Sequence, residues 1–382
     1  MAGIYVHIPY CRRKCYYCDF YSIGSLKAPW EEFAQALIRE AQTRKWEWEQ
    51  AKACAAGHAD TLYIGGGTPS QMPPGVLVNV VEGVCDAFSG LDPVEVTVEV
   101  NPEDVSKGLA EALRGCGVNR VSMGVQSLCD RELAAIGRRH TAERALRAYE
   151  TLRGVFADIS VDLMFGLPLQ TLESWRRSVE GVLALRPEHL SAYSLMWEER
   201  TALCKMRALG RAEECSEDLS EDMYRLLTES VGEAGYEHYE ISNYCLPGHR
   251  SRHNSAYWTG APYIGLGPGA HSYDGERRRR SNPADTARYI RHFSGAESLS
   301  QDFAEEEHLS DEELREEYIM TRLRRCEGIR IEEYGARFGA EARARLERDA
   351  RRNAGLLCVE DGCVRLSREA VMRSDSAILA LL

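Results

Sequence analysis

The chain has 382 residues, 44% of them hydrophobic and 28% charged, with a formal net charge of −12. These values predict a soluble globular protein with room for one large and one smaller domain, and the negative balance argues against a general nucleic-acid binder. No apolar signal region opens the sequence and no apolar run approaches the ~20 residues that span a bilayer, so the thirteen cysteines are expected free or metal-ligating in a reducing cytoplasm.

A first strand is expected over Gly3–Ile8, and it delivers the chain to Cys11, Cys15 and Cys18, three thiols within eight residues. Thiolates are the usual ligands of iron–sulfur clusters, and three of them on a four-iron cluster leave one iron open to a small chelator. A zinc knuckle would need a fourth ligand at short spacing, and His7 would have to reach back from its strand.

Further strands are expected over Thr61–Gly65, Val94–Val100, Arg120–Val125, Ile159–Met164 and His189–Leu195. Between them lie helical patterns over Trp30–Lys52, Gly75–Phe88, Lys107–Arg114, Ala142–Leu152 and Leu172–Leu185. This alternation implies parallel pairing through right-handed crossovers. The six units predict an α/β fold, a partial (β/α)6 TIM-like barrel rather than a complete one of eight.

In such barrels reactive loops follow the C-terminal ends of the strands. Gly65-Gly66-Gly67-Thr68-Pro69 follows the second, where glycines either admit a ligand close to the backbone or make a tight turn. Glu99 ends the third strand before Asn101-Pro102, Gln126 and Ser127 end the fourth with Arg138 beyond them, and Asp162 precedes Gly166-Leu167-Pro168 in the fifth. Singly, each is an ordinary cap or surface residue. A ring of them at successive strand ends predicts a site.

Beyond residue 300 the texture changes to helices over Ala304–Arg325, Ile329–Phe338 and Glu341–Asn353, then a hairpin over Cys358–Leu366 turning at Asp361-Gly362. A smaller, mainly helical, winged-helix-like C-terminal domain is expected, serving packing or a partner. Cys358 and Cys363 are expected to be cross-strand neighbours, and the other scattered cysteines buried small hydrophobes. The expected division is 1–210 for the barrel, 211–300 for a connecting region and 301–382 for the C-terminal domain.

Together these residues resemble the radical S-adenosylmethionine (SAM) superfamily, whose Cys-x3-Cys-x2-Cys loop is matched by Cys11, Cys15 and Cys18. The stretches Tyr5–Pro9, Gly65–Pro69, Glu99–Pro102, Ser122–Gln126 and Asp162–Pro168 are similar to the oxygen-independent coproporphyrinogen III oxidase branch, over nearly the whole chain. Within that branch the resemblance is to the HemW-type heme chaperones. Phe20 stands where the true oxidases carry a further cysteine, and the first cysteine comes at residue 11, without the oxidases' N-terminal extension. His253-Asn254-Ser255-Ala256-Tyr257-Trp258 matches the His-Asn-x-x-Tyr-Trp motif associated with heme in the chaperone group.

The resemblance implies a [4Fe–4S] cluster whose open iron is chelated by SAM, and reductive cleavage that yields a deoxyadenosyl radical. It implies that Gly66, Gly67 and Thr68 hold the methionyl part, that Glu99 takes the ribose hydroxyls, and that Tyr5 and Tyr17 flank cluster and adenosine. Gln126, Arg138 and Asp162 match positions that contact a second SAM in the oxidase. Heme would be ligated by His253, with Cys245 and His249 as rivals; the plain alternative for His253 is a buried, hydrogen-bonded histidine. The Arg277–Arg280 run would meet heme propionates or form a solvated loop. The implied function is a heme chaperone serving recipient heme proteins, including membrane respiratory proteins, with a homodimer as an option. The oxidase itself is the alternative, and a radical enzyme on an unrelated substrate is a third class.

Overall fold

A computed structural model describes residues 2–54, 60–88, 90–295 and 303–382. Six strands form the parallel centre of the main sheet: β1 (Gly3–Ile8), β2 (Asp60–Gly66), β3 (Pro93–Val100), β4 (Arg120–Gln126), β5 (Asp158–Phe165) and β6 (His189–Ser194). Each pairs in parallel with the next. Their aliphatic positions, such as Ile4, Val6, Leu62 and Ile64, are fully buried. Burial on both faces is what parallel strands require, because crossover helices cover one side.

The crossover helices begin where short polar side chains can cap them. Ser106, Thr141 and Thr171 each accept a hydrogen bond from the backbone N–H three residues on, opening Lys107–Gly115, Ala142–Arg153 and Leu172–Leu185. The expected helix Trp30–Lys52 is two helices, Trp30–Thr43 and Lys45–Cys54. The break falls at Arg44, a buried guanidinium that bonds Glu40, Glu47, the Gly265 carbonyl and Ser272. Holding those partners fixes the chain direction there more firmly than helix propensity does.

The sheet extends beyond the six expected strands. The later segments β7 (Glu237–Glu240), β8 (Asn243–Cys245), β9 (Tyr263–Leu266), β10 (His271–Tyr273), β11 (Arg278–Ser281) and β12 (Glu305–His308) join it. The order is β12-β11-β10-β9-β1-β2-β3-β4-β5-β6-β8-β7. Only β9 adds in parallel, against β1. The outer strands do not pair with each other among the described residues, so the barrel is open. Strands between residues 237 and 281, within the stretch expected to connect, thus lie in both flanks of the sheet; the expected boundary at residue 300 lies outside the described residues.

The arginine run is not a loop. It forms β11, antiparallel to the acidic β12. Its arginines pair with acids: Arg277 with Asp311, Arg278 with Glu306, Arg279 with Glu317 and Arg280 with Glu47. Because β12 takes residues 305–308, the helix expected from Ala304 begins only at Asp311, behind a Ser310–Glu313 capping box.

The C-terminal unit has helices Asp311–Leu323, Ile331–Phe338 and Ala340–Arg352 and the hairpin Leu357–Glu360 with Cys363–Leu366, joined by Ile329–Arg330 into a three-stranded sheet. Its apolar cluster is separate from that of the barrel. Asp361 and Gly362 both take positive φ, 49° and 72°, as a two-residue turn of this twist demands. That turn sets the register: Cys358 faces Arg365 and Cys363 faces Glu360, so the two cysteines are not directly opposed. Of the scattered cysteines, Cys245 and Cys363 are buried, most others are half-buried and Cys326 is exposed, contrary to expectation.

Candidate functional site

The strand ends enclose a cavity of about 550 Å³. Its mouth is walled by Cys11, Cys15 and Cys18, its sides by Gly66–Thr68, Glu99, Gln126 and Asp162, and its depth reaches Ser251 and Asn254. The three thiols therefore open on one space. Among the described residues no three His, Cys, Asp or Glu side chains could share a single metal ion. The zinc-knuckle reading needs such a convergent set. A four-iron cube does not, because each thiolate binds a different iron. The donor set fits the cluster. Burial raises the Cys11 and Cys18 thiols, so loading iron requires their protons to leave.

Two side chains reach the sulfurs from other loops. Thr68 Oγ1 lies 3.4 Å from Cys11 Sγ, and Arg138 Nη1 lies 3.7 Å from Cys15 Sγ. The glycine loop packs against the cysteine loop so tightly that a Cβ on Gly67 would sit 2.7 Å from the Tyr10 carbonyl oxygen and 3.1 Å from Cys11 Sγ. Gly66 has φ of +108°, which an L side chain rarely adopts. The Gly65–Pro69 segment is thus both a tight turn and a close backbone approach.

Glu99 is held from two sides. Tyr63 Oη donates to its Oε1 at 2.8 Å, and the Gly66 N–H donates to its Oε2 at 3.0 Å. Burial outweighs these bonds, and with the Asp162 charge it pushes the carboxyl up to about 7. Asp162, buried beside Ser122 at 3.1 Å, is pushed up to about 6 by the same cause. Arg138 Nη2 also donates to the Asn101 side chain at 2.7 Å and the Gly124 carbonyl at 2.6 Å, which holds the guanidinium beside the cysteine loop. Gln126 sits past a bulge in β4 with φ of +67°, an unusual backbone for a non-glycine residue at a strand end.

Tyr17 lines the cavity beside the cysteines. Tyr5 lies one layer back: its hydroxyl meets His7 Nδ1 at 3.0 Å and its ring stacks on Tyr63 at 6.2 Å. His253 is on the opposite, N-terminal side of the barrel from the cysteines. It is 2% exposed, on the helix Arg252–Trp258 that closes the floor. Both ring nitrogens are engaged, Nδ1 with Thr61 Oγ1 at 2.8 Å and Nε2 with Tyr257 Oη at 2.9 Å. Burial lowers its pKa to about 3, so the ring is neutral. In this state it is the buried, hydrogen-bonded histidine of the plain reading. Cys245 is fully buried, whereas His249 is 39% exposed beside Asp158.

Tyr63, Asn101 and Asn254 were not singled out from the sequence. For Tyr63 a signal existed: in Thr61-Leu62-Tyr63-Ile64-Gly65 the polar and small residues alternate with fully buried aliphatics, which turns Tyr63 to the interior of the barrel.

The family described as the radical SAM superfamily matches residues 5–181, and the HemN C-terminal domain matches residues 309–373. A heme chaperone HemW of Lactococcus lactis subsp. lactis is 34% identical over 87% of this chain and 84% of its own length. The heme chaperone HemW of Bacillus subtilis is 33% identical over 89% of this chain and 87% of its own. Among solved structures, the coproporphyrinogen III oxidase HemN of Escherichia coli superposes with a TM-score of 0.81 over 100% of this chain and 89% of that one, at 19% identity. At that identity the likeness concerns the fold.

Proposed function

This chain belongs to the heme chaperone HemW family within the radical SAM superfamily, and on that premise we propose that it binds heme and passes it to recipient heme proteins. The observation that carries the reading is the likeness to HemW proteins along almost nine-tenths of the chain, C-terminal domain included. Phe20 supports it: the residue in the place of the oxidases' additional cysteine is 70% exposed at the rim of the cluster loop.

Cys11, Cys15 and Cys18 would hold a [4Fe–4S] cluster, Gly66, Gly67 and Thr68 the methionyl end of SAM, and Glu99 its ribose. Bound together, cluster and SAM supply one-electron cleavage of a carbon–sulfur bond. The chain's own contribution is placement: Thr68 and Arg138 reach the Cys11 and Cys15 sulfurs, and Tyr63 and the Gly66 N–H orient the Glu99 carboxylate. Gln126, Arg138 and Asp162 share the cavity and form the proposed place for a second SAM, although Arg138 Nη2 is already taken by Asn101 and Gly124.

We place the heme ligand in the Cys245–Trp258 segment, with His253 as the motif's candidate. Ligation there requires the imidazole to leave Thr61 or Tyr257, whereas His249 is open to approach. Delivery to membrane respiratory proteins from the cytoplasm is proposed; no helix of the described residues is long and apolar enough to cross a membrane.

Titration of heme into wild type and the His253→Ala, His249→Ala and Cys245→Ala variants tests the reading. A saturable Soret shift lost in one variant identifies the ligand, and no shift in wild type ends the chaperone proposal. Conversion of coproporphyrinogen III by the reconstituted protein would replace it with the oxidase. A Cys11/Cys15/Cys18→Ala triple variant that still holds about four irons per chain would remove the cluster assignment.

A further inference from the structure

The floor of the barrel and the SAM cavity are joined by an unbroken series of direct contacts. The His253 ring stacks on Tyr63 with centroids 5.1 Å apart and 24° between planes. Tyr63 then donates to Glu99 at 2.8 Å, and Glu99 accepts the Gly66 N–H at 3.0 Å. The strand register produces this order. Gly3 pairs with Thr61 and Tyr5 with Tyr63 across β1 and β2, so successive inward residues stack in layers from floor to mouth.

The layers have no slack. A Cβ on Gly3 would come 3.2 Å from His253 Cε1. One on Gly65 would come 2.7 Å from Glu99 Oε1 and 2.8 Å from Tyr63 Cε1. Tyr63 is stacked with both His253 and Tyr5, so its hydroxyl has little freedom to leave Glu99. The imidazole is itself fixed by Thr61 and Tyr257, and the His253 main-chain N–H donates to Glu95 Oε1 at 2.9 Å. A ring held at both nitrogens, on an anchored backbone, and stacked on a phenol is arranged to orient that phenol.

We infer that His253 is a positioning residue of the SAM site, acting on Glu99 through Tyr63. The inference rests on the proposed reading in one respect only, that Glu99 takes the SAM ribose. It describes the heme-free protein, because heme ligation by His253 would draw the imidazole away from Thr61 or Tyr257.

The test measures SAM dissociation constants by equilibrium dialysis on cluster-reconstituted full-length protein. The variants are Tyr63→Phe, His253→Ala, His253→Gln and Thr61→Val. Tyr63→Phe keeps the stack but loses the hydroxyl, and is expected to weaken SAM about tenfold or more, the scale of one hydrogen bond to a charged acceptor. His253→Ala is expected to fall in the same direction. His253→Gln keeps an amide that can bond Thr61 and Tyr257 but is not an imidazole, and is expected within about threefold of wild type.

A second readout separates positioning from plain loss of stability. Glu99 is faced by Tyr63, Tyr5, Tyr193, Asp162 and the Gly66 N–H. Without the Tyr63 donor its proton is held more tightly, so the pH below which SAM binding fails moves upward in Tyr63→Phe and stays in place in His253→Gln. Wild-type SAM affinity in folded His253→Ala, or in Tyr63→Phe, overturns the inference. If His253→Ala does not fold, the near-isosteric Thr61→Val frees one ring nitrogen and decides the matter by the same loss or its absence. Heme titration of the same samples reports separately on the chaperone reading. If Glu99→Gln leaves SAM binding unchanged, the ribose assignment fails, and the inference with it.

Discussion

Arg138 Nη1 lies 3.7 Å from Cys15 Sγ, and the same guanidinium is locked by the Asn101 side chain and the Gly124 carbonyl. A fixed cation beside a ligating sulfur stabilises the electron-rich, reduced cluster. Arg138→Ala is therefore expected to keep about four irons per chain, since the three thiolates remain, while the midpoint potential becomes more negative. An EPR-monitored redox titration checks this. An unchanged potential with unchanged iron would show that the arginine serves only to tie the strand ends together.

The buried carboxylates make stability depend on pH. Folded Glu99 holds its proton up to about 7, against an ordinary value of 4.5. Between these values the folded state carries the extra proton, so raising the pH through that window destabilises the fold, by about 3 kcal/mol once above it. Asp162, raised to about 6, acts with the same sign. The melting-temperature difference between Glu99→Gln and the cluster-free wild type is expected to move in the variant's favour from pH 5 to pH 8. A difference that does not change with pH would mean that the carboxylate is solvated and unshifted.

Gly65 marks how closely the layers pack. Its Cβ position is occupied by Glu99 and Tyr63 atoms at 2.7 and 2.8 Å. Gly65→Ala is expected to cost about 1–3 kcal/mol through overpacking, and to weaken SAM binding because Glu99 must turn. Denaturant unfolding and equilibrium dialysis read the two effects. Gly75→Ala, where nothing lies within 4 Å of the new methyl, is the control expected to leave SAM binding unchanged and, lying in the helix Pro74–Ala87, to cost no stability.

Arg44 binds the helices after β1 to the β9–β10 flank through Glu40, Glu47, the Gly265 carbonyl and Ser272. Glu40 is fully buried and Arg44 is 3% exposed. Arg44→Met leaves the fully buried Glu40 without its cation, while Glu47 keeps Arg280, and is expected to cost about 3 kcal/mol. Urea unfolding measures it, and a loss below about 1 kcal/mol would mean that water replaces the guanidinium.

The cluster loop, the six strands and their crossover helices were legible in the sequence because each is encoded locally. A Cys-x3-Cys-x2-Cys loop needs only neighbours along the chain, and strand–helix alternation repeats within windows of a dozen residues. The ring of Gly66, Glu99, Gln126 and Asp162 was legible for the same reason, since each lies in the C-terminal half of a recognisable strand. What the tertiary structure alone decided are matters of long-range pairing. Arg278–Ser281 became a strand because the acids of Glu305–His308 lie across from it, and Arg44 broke a helix because partners more than two hundred residues away hold it. Whether His253 faces solvent or the barrel floor depends on Gly3, Thr61 and Tyr63, three residues at the other end of the chain. A periodic pattern reports which face of an element is buried; it carries no record of which distant element buries it.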